Sequence, residues 1–221
     1  MRADEPTGSG KARAATRARD RRWVEAARRG DRRAFGRLVD AYQQPVYAIA
    51  FGIVRERDEA WDVAQEAFVK AYRNLARFEG QAAFYTWIYR IAYNVSIDHL
   101  RDRTRSRALH REPETVHERA VGVGPEHPEA VRTRRELADV LHAAMAQLSE
   151  KHRAIIVLRE VEGLSYDEMA EVLGIRKGTV MSRLFHARQK LQELLRPYVE
   201  TGDPVPDSLR LALPSASGGE P

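Results

Sequence analysis

Residues 163–191, GLSYDEMAEVLGIRKGTVMSRLFHARQKL, constrain the fold of this 221-residue chain more than any other stretch. Ser165 and Glu168 stand three apart just ahead of an apolar run. That is the spacing of a capping box, in which each side chain satisfies a backbone N–H at a helix start. The helix so opened buries Met169 and Leu173. Gly174 then takes the left-handed backbone that ends a helix without steric cost, and Ile175 packs the turn down. Val180, Leu184, Ala187 and Leu191 recur at helical spacing on a second, longer helix. A short helix, a glycine turn and a longer helix make a helix-turn-helix.

Charge is divided between its two arms. Asp167, Glu168 and Glu171 lie on the first; Arg176, Lys177, Arg183, Arg188 and Lys190 lie on the second, with no acid among them. This segregation suits a helix set in the groove of duplex DNA. Thr179 and Ser182 carry hydroxyls that reach phosphates, and Gly178 lets the backbone approach. Met181 and Phe185 stand off the buried stripe. Two readings of them are open: contact with thymine methyls, or cover for neighbouring helices.

Upstream, the apolar pattern is helical from Trp23 onward. Trp23, Val24 and Ala27 begin a helix that Gly30 can end, and Asp31 can cap the next. Phe35, Leu38, Val39 and Tyr42 keep i, i+3, i+4, i+7 spacing, as do Val46, Ile49, Ala50 and Ile53 beyond Pro45. Pro45 is then a kink or the first residue of a new helix. Trp61, Ala64, Phe68, Ala71 and Leu75 are the expected buried stripe of a third helix. Its flank carries Asp58, Asp62, Gln65 and Glu66, either a solvated face or a docking surface for a basic partner.

The fourth helical region, 78–107, holds Phe78, Phe84, Tyr85, Trp87, Tyr89 and Tyr93, together with Arg90, Arg101, Arg103, Arg105 and Arg107. Rings stack on unpaired bases at about 1–3 kcal/mol each while arginines follow the backbone. Equally, rings on a helix fill a core, and a basic helix end complements the helix dipole. Trp87, Ile91 and Val95 mark one face; Arg90, Asn94, Arg101 and Arg105 fall elsewhere.

The expected architecture is all-α: two small helical domains joined by a flexible linker, the second a four-helix domain containing the helix-turn-helix. Residues 1–22 have basic composition without apolar periodicity and read as a disordered arm. Residues 23–104 form the first domain, 105–133 a Pro- and Gly-containing linker, 134–196 the second domain, and 197–221 a disordered Pro-rich tail. In the second domain Leu137, Leu141, Ala144 and Leu148 form the first stripe, and Ser149 caps a helix that ends near Gly163.

Composition narrows the function. A net charge of +5 and a pI near 9.6 favour a polyanionic partner. The chain has no cysteine, which excludes disulfides, thiolate metal sites and thiol redox chemistry of its own. No apolar run approaches the roughly 18 residues of a membrane span and no signal-peptide core follows the basic N-terminus, so a cytoplasmic protein without membrane insertion is expected. There is no Gly-rich phosphate loop, HExxH, nucleophile elbow or clustered carboxylate site. The reading is of a non-enzyme, with no metal and no cofactor.

Three motifs, DVAQEAFVKAY at 62–72, FEGQAAFYTWIYRIAYNVSID at 78–98 and the helix-turn-helix at 163–191, resemble the signatures of bacterial extracytoplasmic-function (ECF) sigma factors. The resemblance covers 23–104 as sigma region 2 and 134–196 as sigma region 4. It implies that Asp58, Asp62, Gln65 and Glu66 dock on the clamp helices of the largest subunit of the RNA polymerase core, and that the second-subunit flap is a further contact. It also implies that residues 78–107 recognise and open the minus-ten element. One unpaired base would enter a pocket built around the loop after Phe78, with Gly80 and Gln81, and the helix bearing Asn94. Trp87 and Tyr89 match positions of strand separation, and Arg90 and Arg101 would hold the strand.

Duplex reading of the minus-thirty-five element falls by the same resemblance to Arg176, Lys177, Thr179, Met181, Ser182, Arg183, Phe185, His186 and Arg188. At Met181 and His186 the family commonly places Lys or Arg, a departure that points to a different upstream-element preference. The resemblance further implies control by an anti-sigma factor seated on an apolar patch between the two domains. The alternative from the residues alone is a conventional helix-turn-helix regulator that binds duplex DNA without polymerase.

Overall fold

Each helix boundary in the computed structural model has a local cause. The described residues are 8–110 and 128–201, and among them all regular structure is helical. The elements are α1 (Gly8–Arg28), α2 (Arg32–Val54), α3 (Arg57–Asn74), a 3₁₀ turn (Leu75–Arg77), α4 (Phe84–His110), α5 (Pro128–Ala146), α6 (Glu150–Ile156), α7 (Tyr166–Leu173) and α8 (Lys177–Thr201). Gly30, at φ +96°, ends α1, and the Asp31 carboxylate accepts from the backbone N–H groups of Arg33 and Ala34 at 2.9 and 3.1 Å. Ser165 and Glu168 form the expected capping box, and Gly174, at φ +64°, closes α7. α6 runs on into a wider π turn, Val157–Val161, before Gly163 redirects the chain at φ +63°.

Helices α1–α4 enclose Leu38, Val46, Ile49, Ile53 and Ile88, all without solvent exposure. Pro45 lies inside one continuous α2 and does not begin a second helix. It removes one backbone hydrogen bond, but Leu38, Tyr42, Val46, Ile49 and Ile53 are buried on both sides of it and hold the helix through. In α3 the buried stripe is Ala60, Val63, Ala64, Ala67, Phe68 and Ala71. Trp61 falls at its edge: it is 38% exposed and stacks on Tyr47 with ring centroids 4.4 Å apart.

The basic arm expected over 1–22 is, from Gly8 onward, part of α1. Its polar side chains have partners. Asp20 is buried, accepts from the Tyr42 hydroxyl, and binds Arg19 at 2.8 Å. Arg19 in turn stacks over Trp23 at 4.7 Å. Tertiary contacts rather than apolar periodicity sustain this helix. The linker expected over 105–133 is helical at both ends, to His110 and from Pro128, and the tail expected from 197 begins inside α8. The middle of that linker and residues 202–221 lie outside the described residues.

The two helical units share a core. Residues of α1–α4 and of α6–α8 belong to one continuous buried cluster, with a smaller one between α5 and α8. At the seam α6 packs on α2 and α7 packs on α4. A Cβ on Gly52 would lie 2.7 Å from the Val157 Cγ2 atom, so glycine permits this approach. Arg153 donates across the seam to the carbonyls of Gly52 and Ile53 at 3.0 and 3.2 Å, and burial pushes its guanidinium pKa down to about 10. It stays protonated at neutral pH, satisfying two helix-end carbonyls that α2 leaves open.

Candidate nucleic-acid interface

The sequence-predicted residues sort into three surfaces. On α3, Asp58, Asp62, Gln65 and Glu66 are all exposed on one flank. Glu66 pairs with Lys70 at 2.8 Å, a screened surface contact. Glu59, on the inner side, instead ties α3 to α4 through Arg103 at 2.7 Å and His99 at 3.0 Å. Exposed Trp61, Val69 and Tyr72 lie along the same helix, so the acidic flank is bordered by apolar surface.

The second surface is α4 and the loop before it. Phe78 is half-buried; Gly80 and Gln81 are exposed, with Gly80 at φ +76° shaping the loop. The Phe78 ring packs on Trp87 and Phe84, with centroids 4.9 and 6.0 Å away. Those rings answer the open question about the aromatics: Phe84 and Tyr89 are core, and Trp87 is half-buried. Arg90, Asn94 and Arg101 are exposed along α4.

Two clefts flank this region. Gly80 and Gln81 open on a cleft whose other wall is α1, with Arg17, Arg21 and Arg28. Asn94 lines a different cleft with Lys70, Asn74, Arg77 and Trp87. Phe78 lines the first cleft, and Trp87, on which its ring packs, lines the second. Arg28 holds the loop from the α1 side, donating to the carbonyls of Ala76 and Phe78 at 3.2 and 3.4 Å. Sequence patterning gave no sign of Arg28, because its partners are backbone carbonyls about fifty residues away.

The third surface is α8. Arg176, Lys177, Thr179, Met181, Ser182, Phe185, His186 and Arg188 are exposed, and Arg183 is half-buried. Met181 and Phe185 are exposed, at 51% and 64%. The cations are not equivalent. Lys177 pairs with Asp167 at 2.9 Å and Arg188 with Glu160 at 2.6 Å, whereas among the described residues no acid forms an ion pair with Arg176 or Arg183. His152 has its pKa lowered, by burial first and then by Arg183 and His186.

Sequence reasoning missed the polar seam between the units. Tyr89 donates to Glu162 at 2.9 Å, and Tyr85 donates to Glu168, which also binds Arg13 at 3.1 Å and Arg17 at 3.3 Å. The Glu168 carboxyl lies below the ordinary carboxylate range. Burial raises it, but hydrogen bonds from Tyr85 and Ser165 and the Arg13 charge outweigh that.

Comparison with known proteins decides what these surfaces belong to. Residues 38–106 match the family model Sigma-70 region 2, and residues 138–191 match Sigma-70, region 4. The RNA polymerase sigma-H factor of Pseudomonas aeruginosa is 41% identical over 191 residues, spanning 82% of this chain and 96% of that protein. The chain belongs to the ECF sigma factors. This sigma factor is also 37% identical over 180 residues to the ECF RNA polymerase sigma-E factor of Escherichia coli K12, covering 80% and 94% of the two chains.

Two solved structures share its fold. One is the sigma factor RpoE in complex with the anti-sigma factor NepR from Bartonella quintana, with TM-score 0.61, 26% identity, and 73% and 96% of the two chains covered. The other is CnrH in complex with the cytosolic domain of CnrY, with TM-score 0.59, 28% identity, and 81% and 98% covered. No helix among the described residues of the sigma factor is long and apolar enough to cross a membrane.

Proposed function

We propose that this sigma factor is a dissociable specificity subunit that brings core RNA polymerase to its promoters and opens the DNA. The observation that carries this is the order of matches on one chain, a region 2 followed by a region 4. The comparisons favour it over a conventional helix-turn-helix regulator. In this reading the work is binding, done in the cytoplasm beside the polymerase, without metal or cofactor.

Individual roles follow from exposure and chemistry. The exposed quartet Asp58, Asp62, Gln65 and Glu66 docks on the clamp helices of the largest subunit, with Trp61 and Tyr72 as apolar neighbours. Arg90, Asn94 and Arg101 face the melted minus-ten strand, and the loop with Gly80 and Gln81 takes an unpaired base in one of its two flanking clefts. Phe78 and Trp87 position that loop from beneath. Arg176, just ahead of α8, and Arg183, Thr179 and Ser182 on it hold duplex phosphates and base edges of the minus-thirty-five element, with Met181 and Phe185 reading methyl groups. The flap of the second polymerase subunit is a further contact.

The likeness to sigma factors solved with anti-sigma factors supports control by such a partner. A seat for it is the apolar strip from Trp61 through Tyr47 and Phe51 to His142, beside exposed Leu137 and Leu141. It crosses from region 2 to region 4, so one ligand there touches both.

Run-off transcription with core polymerase on a promoter library tests the whole reading. Promoter-dependent RNA only in the presence of both proteins is expected, and no product on any template would overturn it.

A further inference from the structure

An apolar groove of about 640 Å³ runs between α6 and α8 of region 4. Ile156, Leu191 and Leu195 form its floor, and the exposed Arg188, Arg196 and Glu160 stand at its rim. Its size falls within the range of about 300–1,000 Å³ over which clefts hold ligands. Leu191 and Leu195 already pack on Val140, Ala143 and Ala144 of α5, yet both stay half-buried. None of the surfaces assigned above uses this floor.

The helix that forms one wall ends at Thr201, and residues 202–221 lie outside the described residues. Their sequence, GDPVPDSLRLALPSASGGEP, is mostly Pro, Gly, Ser and charge, with one apolar run at 209–213 set between Pro206 and Pro214. A segment of that composition has no core of its own in which to bury leucines. Asp203, Asp207 and Glu220 outweigh Arg210 in charge.

We propose that residues 207–213 turn back along α8 and seat Leu209 and Leu213 in the groove between α6 and α8, so that the chain's own tail covers the apolar face of region 4. Reach is sufficient. Asp207 stands six residues past Thr201, an extended span of up to about 20 Å. Leu195 and Leu191 lie only about 9 and 15 Å back from Thr201 along the helix, at about 1.5 Å per residue. Gly202 permits the reversal at the helix end.

Register and charge agree with that path. Leu209 and Leu213 are one helical turn apart, about 6 Å, which is also the spacing of Leu195 and Leu191 on α8. Running antiparallel to α8, the segment brings Asp207 first to Arg196, the rim cation nearer Thr201. Arg188, toward the other end, is held by Glu160 at 2.6 Å. A tether this short presents the segment at an effective concentration on the order of 1 mM, so a weak contact suffices. Any protein that binds region 4 through these leucines must displace the tail, and its apparent affinity falls by the fraction of chains in which the groove is open.

The sequence holds no cysteine, so Gln189→Cys gives the full chain a single attachment point for a nitroxide, on exposed α8 surface beside the groove. In isotope-labelled protein the amide signals of residues 207–213 should be strongly broadened. Leu209→Asp/Leu213→Asp lies beyond every described helix. It should lower the docked fraction by at least about tenfold through lost apolar burial, and the signals should sharpen. Asp207→Arg should weaken docking by about two- to fivefold, and adding Arg196→Asp should recover part of that loss.

Sharp signals from 207–213 in the labelled parent, or equal broadening in the double-aspartate variant, would overturn the proposal. An equal mixture of nitroxide-bearing chains with isotope-labelled chains that carry no nitroxide separates a tail seated on its own groove from one seated on a second copy. No broadening is expected there, and strong broadening of 207–213 would overturn the intramolecular seat. The measurement uses neither polymerase nor DNA, so failure of the promoter reading would leave it standing.

Discussion

The Tyr89 hydroxyl, on the helix proposed to open DNA, donates to the Glu162 carboxylate of region 4 across 2.9 Å. Burial is the main cause that raises the pKa of both groups, so this is a desolvated contact whose loss leaves a polar group without its partner. Tyr89→Phe should weaken the docking of the two regions by about 1–2 kcal/mol. It should leave the cores of α1–α4 intact, as near-UV circular dichroism and interdomain energy transfer would show together.

The two glutamates of the seam respond to pH with opposite signs. Glu168 has a carboxyl held below its ordinary value of 4.5, so its contribution to the folded state is present above that value and lost as pH falls through the folded one. Glu162 is raised, first by burial, so its contribution is present below 4.5 and lost as pH rises through the folded value. Glu162→Gln should therefore raise the melting temperature at pH 7, a gain that vanishes on acidification. Glu168→Gln should lower it at pH 7, with the deficit shrinking toward pH 4. Melts from pH 4 to 8 check both.

Asn94 is exposed and lines a cleft beside Trp87. Asn94→Ala should leave melting temperature and core-polymerase affinity unchanged while slowing open-complex formation, measured by permanganate reactivity of unpaired thymines. Trp87→Ala differs. It removes the ring on which Phe78 packs and should cost about 2–3 kcal/mol of stability, so it reports on folding and melting together.

Placing arginine on the exposed α3 flank should act on assembly alone. Asp62→Arg and Gln65→Arg should reduce capture of core polymerase by at least about tenfold without moving the thermal melt by more than about 0.5 kcal/mol. Equal capture of parent and variants in size-exclusion chromatography would reject the docking assignment.

On α8 the ion pairs set an order among the cations. Arg176→Ala should weaken binding to a minus-thirty-five duplex and flatten the log–log salt slope by about 0.9 if it meets a phosphate. Lys177→Ala and Arg188→Ala should cost less, because each must first leave Asp167 or Glu160. Fluorescence anisotropy across a salt series separates these outcomes.

What was legible in the sequence is what neighbours along the chain control. The Asp31 cap, the Ser165–Glu168 box and the Gly30 and Gly174 stops depend on residues within one or two helical turns. Misreadings came where a distant partner changed the outcome. Trp61 has core periodicity, yet the buried face of α3 is made by Ala60, Val63, Ala64, Ala67, Phe68 and Ala71, and the indole lies at the edge on Tyr47. Residues 8–22 lack apolar periodicity, yet Asp20 is buried against Tyr42 and makes a helix there worthwhile.

By itself, then, the sequence determined an all-α chain with an acidic helix flank, an aromatic and basic helix, and a helix-turn-helix whose basic face is free of core duties. Periodicity and capping are short-range, so they are written in short windows. Only the tertiary structure decided that region 4 packs on region 2, that Tyr89 is buried, and that Glu168 caps α7 while binding Tyr85, Arg13 and Arg17. Tyr85, Arg17 and Arg13 stand 83, 151 and 155 residues from Glu168 along the chain, and only the folded packing brings them to one carboxylate.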